Sequence, residues 1–157
     1  MKKEKVLNLF ESYADDIFRF ALSYVKSKQE AEDIVQDVFL KLLTKQIVFS
    51  VGKEKSYLMK MTANMCKNYL KSSRYITAAD IDYDALNVAV SCKSDTNSEF
   101  LFDAIMKLDI GQRMPLYLHY YEGYSYSEIA KILKISNSSV AMRISRAKDN
   151  LRLFLEN

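Results

Sequence analysis

Apolar residues recur along this chain at steps of three and four, the period of an amphipathic helix rather than of a strand. The first such stretch covers residues 5–26, with Leu9, Phe10, Tyr13, Ile17, Phe20, Ala21, Tyr24 and Val25 on its stripe. Ser27-Lys28-Gln29-Glu30 has the spacing of a capping box and opens a second helix. Its stripe is Ala31, Ile34, Val35, Val38, Phe39, Leu42 and Leu43, and it runs to about Thr44. Lys45–Lys55 contains Gly52 and reads as a loop. A third helix is expected from about Lys55 to Arg74, with Leu58, Met61, Met65 and Tyr69 on one face. The period then fails across residues 76–97, a linker with a weak helical turn near Ala85–Val90. Thr96-Asn97-Ser98-Glu99 restarts the pattern with a second capping box, for a helix through Leu108. Asp109 caps a helix to about Tyr121, stopped by Glu122-Gly123. Ser125-Tyr126-Ser127-Glu128 is a third capping box, for a short helix to Leu133. A turn at Lys134–Ser136 leads to a last helix, Asn137 to Leu155.

Composition agrees with an all-α protein. The 157 residues include 3 Gly and 1 Pro, too few turn formers for a sheet of many short strands. At 49% hydrophobic residues the chain can build a core. The fold expected is two small helical domains, 1–76 and 98–157, joined by an acidic linker, 77–97. Charge sharpens that division. Residues 1–76 carry net +5, 77–103 net −5 and 104–157 net +3. The two basic segments suit a polyanion, whereas the acidic middle does not. Cys66 and Cys92 are far apart and lack metal spacing, as expected of reduced thiols. The basic start at Lys2, Lys3 and Lys5 is followed by Glu11, Asp15, Asp16 and Arg19 rather than an apolar run. No signal peptide or membrane span is expected, and the location implied is cytoplasmic.

The candidate chemistry is recognition, not catalysis. Ser125–Leu151 has the layout of a helix-turn-helix, with Ile129, Ala130, Leu133, Ile135, Val140, Ile144, Ala147 and Leu151 where the helices cross. The second of these helices begins Asn137-Ser138-Ser139 and then displays Arg143, Arg146 and Lys148. Short polar groups at a helix N-terminus can meet phosphates, and Arg can read guanine in the major groove. On the third helix, Lys60, Asn64, Lys67, Lys71 and Arg74 form a stripe bordered by Tyr57, Asn68, Tyr69 and Tyr75. Basic groups interleaved with rings suit single-stranded nucleic acid. The second helix exposes Glu32, Asp33, Gln36, Asp37 and Lys41, either a solvated face or a protein-docking surface.

Several of these segments resemble bacterial RNA polymerase sigma factors of the extracytoplasmic-function (ECF) group. Ala31-Glu32-Asp33-Ile34-Val35-Gln36-Asp37-Val38-Phe39-Leu40 resembles the family's second region. Tyr57-Leu58-Met59-Lys60-Met61-Thr62-Ala63-Asn64 through Leu70-Lys71 resembles the helix that follows. Glu122-Gly123-Tyr124-Ser125, Glu128-Ile129-Ala130, Ser139-Val140 with Arg143, and Arg146-Ala147 resemble the fourth region. Tyr57 stands where Trp is usual, Asn68 replaces an acid, Lys71 an Arg, and Lys134 a turn Gly; Pro115 falls inside a helix. The resemblance implies a promoter-reading polymerase subunit with no catalysis of its own. It implies that Asp33, Ile34, Gln36, Asp37, Phe39 and Leu40 dock on core RNA polymerase. Tyr57, Lys60, Asn64, Lys67, Asn68, Lys71 and Arg74 would bind the melted minus-ten element. Ser138, Ser139, Met142, Arg143, Ser145, Arg146 and Lys148 would read the double-stranded minus-thirty-five element. The acidic linker would thread the polymerase's basic channels, and an anti-sigma protein is the implied regulator.

Other classes explain less of the chain. An enzyme lacks support: His119, the sole histidine, lies in the apolar run Tyr117–Tyr121, and no phosphate loop, metal cluster, cofactor motif or small-molecule site is apparent. A helix-turn-helix regulator independent of polymerase would leave the first helices unexplained. An anti-sigma or adaptor protein would not need the basic recognition helix.

Overall fold

A computed structural model describes residues 3–45, 47–50, 52–72 and 96–156, with the side chains of residues 96–99 excluded. Among these residues every regular element is an α-helix. They are α1 (Lys3–Val25), α2 (Lys28–Thr44), α3 (Glu54–Ser72), α4 (Thr96–Met106), α5 (Ile110–Tyr120), α6 (Tyr126–Leu133) and α7 (Asn137–Glu156). The chain divides into two compact units, Met1–Leu86 and Asn87–Asn157. The expected linker at 77–97 and the turn near Ala85–Val90 fall outside the described residues, as do Arg74, Tyr75, Cys92 and the side chains of the Thr96–Glu99 box.

In the first unit α1 packs on both α2 and α3. Its stripe of Val6, Leu9, Ile17 and Phe20 widens until every residue from Phe20 to Val25 is buried. Only two residues separate α1 from α2. Lys26 takes a left-handed conformation, φ 61°, and donates its N–H to the Leu22 carbonyl at 2.8 Å. Ser27 then caps α2, its Oγ accepting from Glu30 N–H at 3.4 Å. A side chain with a Cβ costs roughly 1 kcal/mol in that conformation, so the sequence carries no Gly signal for this tight turn. On α2 the inner face is Ala31, Ile34, Val35, Val38, Phe39 and Leu42, while Leu43, expected on the stripe, is 47% exposed.

The inner face of α3 is rotated from the expected one. Leu58, Met59, Thr62, Ala63 and Cys66 are buried, whereas Met61, Met65 and Tyr69 are only half-buried. The buried face includes the small residues Thr62, Ala63 and Cys66, and the Thr62 hydroxyl donates to the Leu58 carbonyl at 2.7 Å. Burial pushes the Cys66 thiol well above its ordinary pKa by desolvation, which leaves it protonated and inert.

The second unit surrounds the helix-turn-helix. Ser125 and Glu128 close the expected capping box reciprocally, both bonds at 3.2 Å. Ile129, Ala130, Leu133, Val140, Ile144 and Ala147 form the crossing, with Ile135 and Leu151 half-buried at its rim. Asp109 occupies the cap position of α5 but makes no side-chain cap bond. Lys134 ends α6 at φ 58° and ψ 48°, left-handed, where a Gly would meet no Cβ penalty. Replacing Lys134 with Gly is therefore expected to stabilise this unit by roughly 0.5–1 kcal/mol, read as a higher midpoint of thermal unfolding. A lower midpoint would show that the lysine side chain contributes more than its backbone costs.

Candidate nucleic-acid interface and docking face

The second helix of the helix-turn-helix, α7, starts from Ser136, a cap the sequence pattern did not single out. Its Oγ accepts from Ser139 N–H and contacts Ser138 Oγ, each at 3.1 Å. This holds one end of the free N–H groups at the tip of α7 while leaving Asn137 and Ser138 exposed. Val140, Ile144 and Ala147 anchor the inner side of the helix. Ser138, Met142 and Ser145 lie on the opposite side, three and four residues apart, and all are exposed. Arg146 and Lys148 flank that stripe and are exposed too. The stripe thus pairs short hydroxyls and one flexible thioether with a cation at each edge, a composition suited to base edges bordered by phosphates.

Two residues expected on this surface turn inward. Arg143 is half-buried; its Nε donates to Ser139 Oγ at 3.0 Å and its Nη1 to the Gly111 carbonyl at 3.3 Å. Ser139 is half-buried and engaged by that bond. Arg143, expected to read a base, has its guanidinium roughly a third of a turn away from the exposed stripe and bonded to α5. Asn150, two turns further along, donates to Gln112 Oε1 at 2.8 Å, a second bond to the start of α5.

His119 is a linker of elements. Its Nδ1 donates to the Tyr124 carbonyl at 2.9 Å, and its ring meets the edge of Tyr126 at 5.1 Å, tying the end of α5 to the start of α6. Elsewhere in this unit, Tyr121 meets Phe102 edge to face and Tyr117 at a tilt. Desolvation, with the nearby Tyr120 and Asp103, pushes the Tyr121 phenol well up.

On the first unit, α3 turns its polar stripe away from the core. Lys60, Asn64 and Lys67 are half-buried, and Asn68 and Lys71 are exposed. Tyr57 is exposed and meets Phe49, from the preceding loop, edge to face at 5.0 Å. Lys5 of α1 lies over the other ring, 5.7 Å from the Phe49 centroid. The start of α3 is pinned by Asp16, which bonds Lys55 Nζ at 3.0 Å and also pairs with Arg19. The loop and the aromatic end of the stripe are thus held to α1. Phe49 was not anticipated, because a lone ring in a loop has no periodic partner to mark it. Arg74 lies outside the described residues.

On α2, Asp33, Gln36, Asp37 and Leu40 are exposed, Leu40 by 57%. Ile34 and Phe39, also expected to dock, are instead core residues, 5% and 6% exposed. The correction follows from the helical period: both sit on the inner stripe, and Phe39 packs edge to face on Phe10 at 5.1 Å. The apolar part of the outer face comes from Leu40 and Leu43, with Phe10 exposed on the neighbouring helix.

Among the described residues no cluster of His, Cys, Asp or Glu could hold a metal ion. Among the same residues no helix is long and apolar enough to cross a membrane.

Both halves of the chain match known families. Residues 9–75 match the family described as Sigma-70 region 2, and residues 101–151 match Sigma-70, region 4. The chain is 25% identical over 159 residues to the ECF RNA polymerase sigma factor SigX of Bacillus subtilis, covering 94% of this chain and 82% of that one. It is 26% identical over 152 residues to the RNA polymerase sigma factor CarQ of Myxococcus xanthus, covering 94% and 87%. In fold it is similar to the sigma factor RpoE of Bartonella quintana, solved in complex with the anti-sigma factor NepR. That match has a TM-score of 0.68 and 23% identity, covering 99% of this chain and 98% of that one. It is also similar to CnrH, solved in complex with the cytosolic domain of CnrY, at a TM-score of 0.67 and 22% identity, covering 99% and 90%.

Proposed function

We propose that the chain is a sigma factor of the ECF group, from its Sigma-70 region 2 and region 4 matches in that order and its ECF relatives, and that its helices divide the work as follows. A sigma factor binds core RNA polymerase and directs it to start transcription at particular promoters. The division proposed here places core-polymerase docking on the outer face of α2, through Asp33, Gln36, Asp37, Leu40 and Leu43. The polar stripe of α3, with Tyr57 at its start and Lys60, Asn64, Lys67, Asn68 and Lys71 along it, holds the melted minus-ten strand. Unpairing costs a few kcal/mol, which stacking on rings and cations along the backbone can offset. The exposed stripe of α7, Ser138, Met142, Ser145 and Arg146 with Lys148, reads the minus-thirty-five duplex. The region 2 domain spans 1–76 and the region 4 domain 98–157. Segment 77–97, with Asp80, Asp82, Asp84 and Asp95, joins them and passes through basic channels of the polymerase. An anti-sigma protein is the proposed regulator, by analogy with the two solved complexes. The protein acts in the cytoplasm as a binding subunit, without catalysis.

One observation carries this reading over a free-standing helix-turn-helix regulator. The first unit is a complete domain that places an acidic and apolar face on α2 and a basic, ring-bearing stripe on α3. A regulator that reads duplex DNA with α7 alone needs neither.

The test is mapping of transcript 5′ ends made in vitro from genomic fragments by purified core polymerase, with and without the protein. New discrete starts sharing an upstream element are expected. Arg146→Ala should lower initiation at them by roughly tenfold, the worth of one good base or phosphate contact. Unchanged start sites with well-folded protein would remove the sigma-factor division of labour.

A further inference from the structure

The single proline, one of the three glycines and a recognition-helix arginine converge on one spot. Pro115 lies inside α5, and having no N–H it cannot bond the carbonyl four residues earlier. That carbonyl belongs to Gly111, and it is the one that accepts from Arg143 Nη1. Gly111 also supplies the space: a Cβ built there would stand 3.0 Å from Nη1 and 3.9 Å from Cζ of Arg143. Taken singly, a proline inside the helix and a glycine in its first turn both lower the helix propensity of α5. Together they create an acceptor and a slot that fit one guanidinium. The other end of the same fork is fixed by Ser139 Oγ, at 3.0 Å from Nε. Asn150, seven residues on and so on the same side of α7, bonds Gln112 next to Gly111.

The geometry points to Gly111, Pro115 and Arg143 as a positioning device that sets the roll of α7 and hence which bases Ser138, Met142, Ser145 and Arg146 meet. This rests on α7 being the helix that reads the upstream duplex. Arg143 is then a positioning residue, acting through the exposed stripe, and its planar fork rather than its charge is what matters. Two bonds along one side of a helix, about 10 Å apart at 1.5 Å per residue, resist both rotation and sliding. The hydrophobic crossing at Val140, Ile144 and Ala147 resists separation but tolerates small rotations, because aliphatic contacts are not directional.

The experiment uses the full chain and its Gly111→Ala, Pro115→Ala and Arg143→Lys variants. Gly111→Ala crowds the guanidinium, Pro115→Ala restores a competing N–H to the Gly111 carbonyl, and Arg143→Lys keeps the charge but loses the fork. The probe is a promoter duplex recovered by start-site mapping, against the same duplex with its upstream element scrambled, over a series of KCl concentrations. All three variants are expected to lose roughly tenfold in the ratio of specific to scrambled binding. The salt slope of log affinity should stay unchanged, because Arg143 neutralises no phosphate. Gly111→Ala and Pro115→Ala should shift the thermal midpoint little, because the gain in helix propensity is set against the lost Arg143 bond and, at the buried Pro115, lost ring contacts. A variant that lost discrimination through unfolding would instead lower the midpoint. The proposal is overturned if Gly111→Ala and Pro115→Ala discriminate as well as wild type. It is equally overturned if Arg143→Lys retains specificity and a fourth variant, Arg143→Ala, lowers the salt slope by about one, the mark of a phosphate contact. Should the wild-type chain direct no start sites, the sigma-factor reading fails instead. The device is then judged by the Arg143 Nη1–H resonance, protected from exchange in wild type and unprotected in Gly111→Ala if the bond exists as described.

Discussion

Leu40→Asp combined with Leu43→Asp is expected to weaken binding to core RNA polymerase by about a hundredfold, roughly 2.7 kcal/mol, while leaving the protein folded. Both leucines are about half exposed on the outer side of α2, so the domain's own packing does not depend on them. Changes at exposed sites away from caps and networks usually stay within about 0.5 kcal/mol of wild-type stability. In a complex the same side chains would be desolvated at the centre of the docking face, where a few apolar residues carry most of the energy. Placing carboxylates there also adds charge beside Asp33 and Asp37. Fluorescence titration of labelled core polymerase, with circular dichroism on each variant, separates the two effects. Undiminished binding by the double variant would move the docking surface elsewhere on the first unit. Ile34→Ala or Phe39→Ala cannot make this distinction, because both side chains are core residues and their loss would unfold the domain that carries the face.

Ile144→Ala is expected to destabilise the second unit by about 2–5 kcal/mol, the range for emptying a closed core site. Ile144 is 1% exposed and sits at the centre of the α6–α7 crossing, with Val140 one turn before it and Ala147 one after. Small helical domains have little stability to spare, so a loss of this size leaves much of the unit unfolded. Upstream-element binding should fall with it, by the same factor for specific and scrambled duplexes once corrected for the folded fraction. That uniform loss contrasts with the selective loss expected from Gly111→Ala. Thermal unfolding followed by circular dichroism checks the first part. A change below about 1 kcal/mol would mean that the crossing repacks around the vacancy.

Local patterns were the part of this molecule legible in its sequence. The caps at Ser27 and Ser125, the inner stripe of α2 and the helix-turn-helix crossing depend on residues within a few positions of each other. Spacing alone therefore reveals them. The rotated face of α3 was harder to see. Two methionines at 61 and 65 advertise an apolar side more strongly than Thr62, Ala63 and Cys66, yet the smaller set is the one buried in the close-packed interior. The left-handed Lys26 was invisible because its cost is offset by the burial on either side, and Lys carries no signature for φ > 0. At the candidate site, the exposed Ser138, Met142, Ser145 and Arg146 followed from the helical period once the core side was known. The inward turn of Arg143 did not. It depends on Gly111, 32 positions away, and on a proline whose effect is to leave a carbonyl free. A basic residue on a recognition helix reads as a DNA contact until such a partner is seen.

Permanganate oxidation of unpaired thymines on a mapped promoter tests the central claim most directly. With core polymerase and this protein both present, reactive thymines should appear a fixed distance downstream of the duplex element protected by α7, on an asymmetric site. Neither component alone should produce them. Protection of a two-fold symmetric duplex by the protein alone, with no thymine exposed when polymerase is added, would contradict the account.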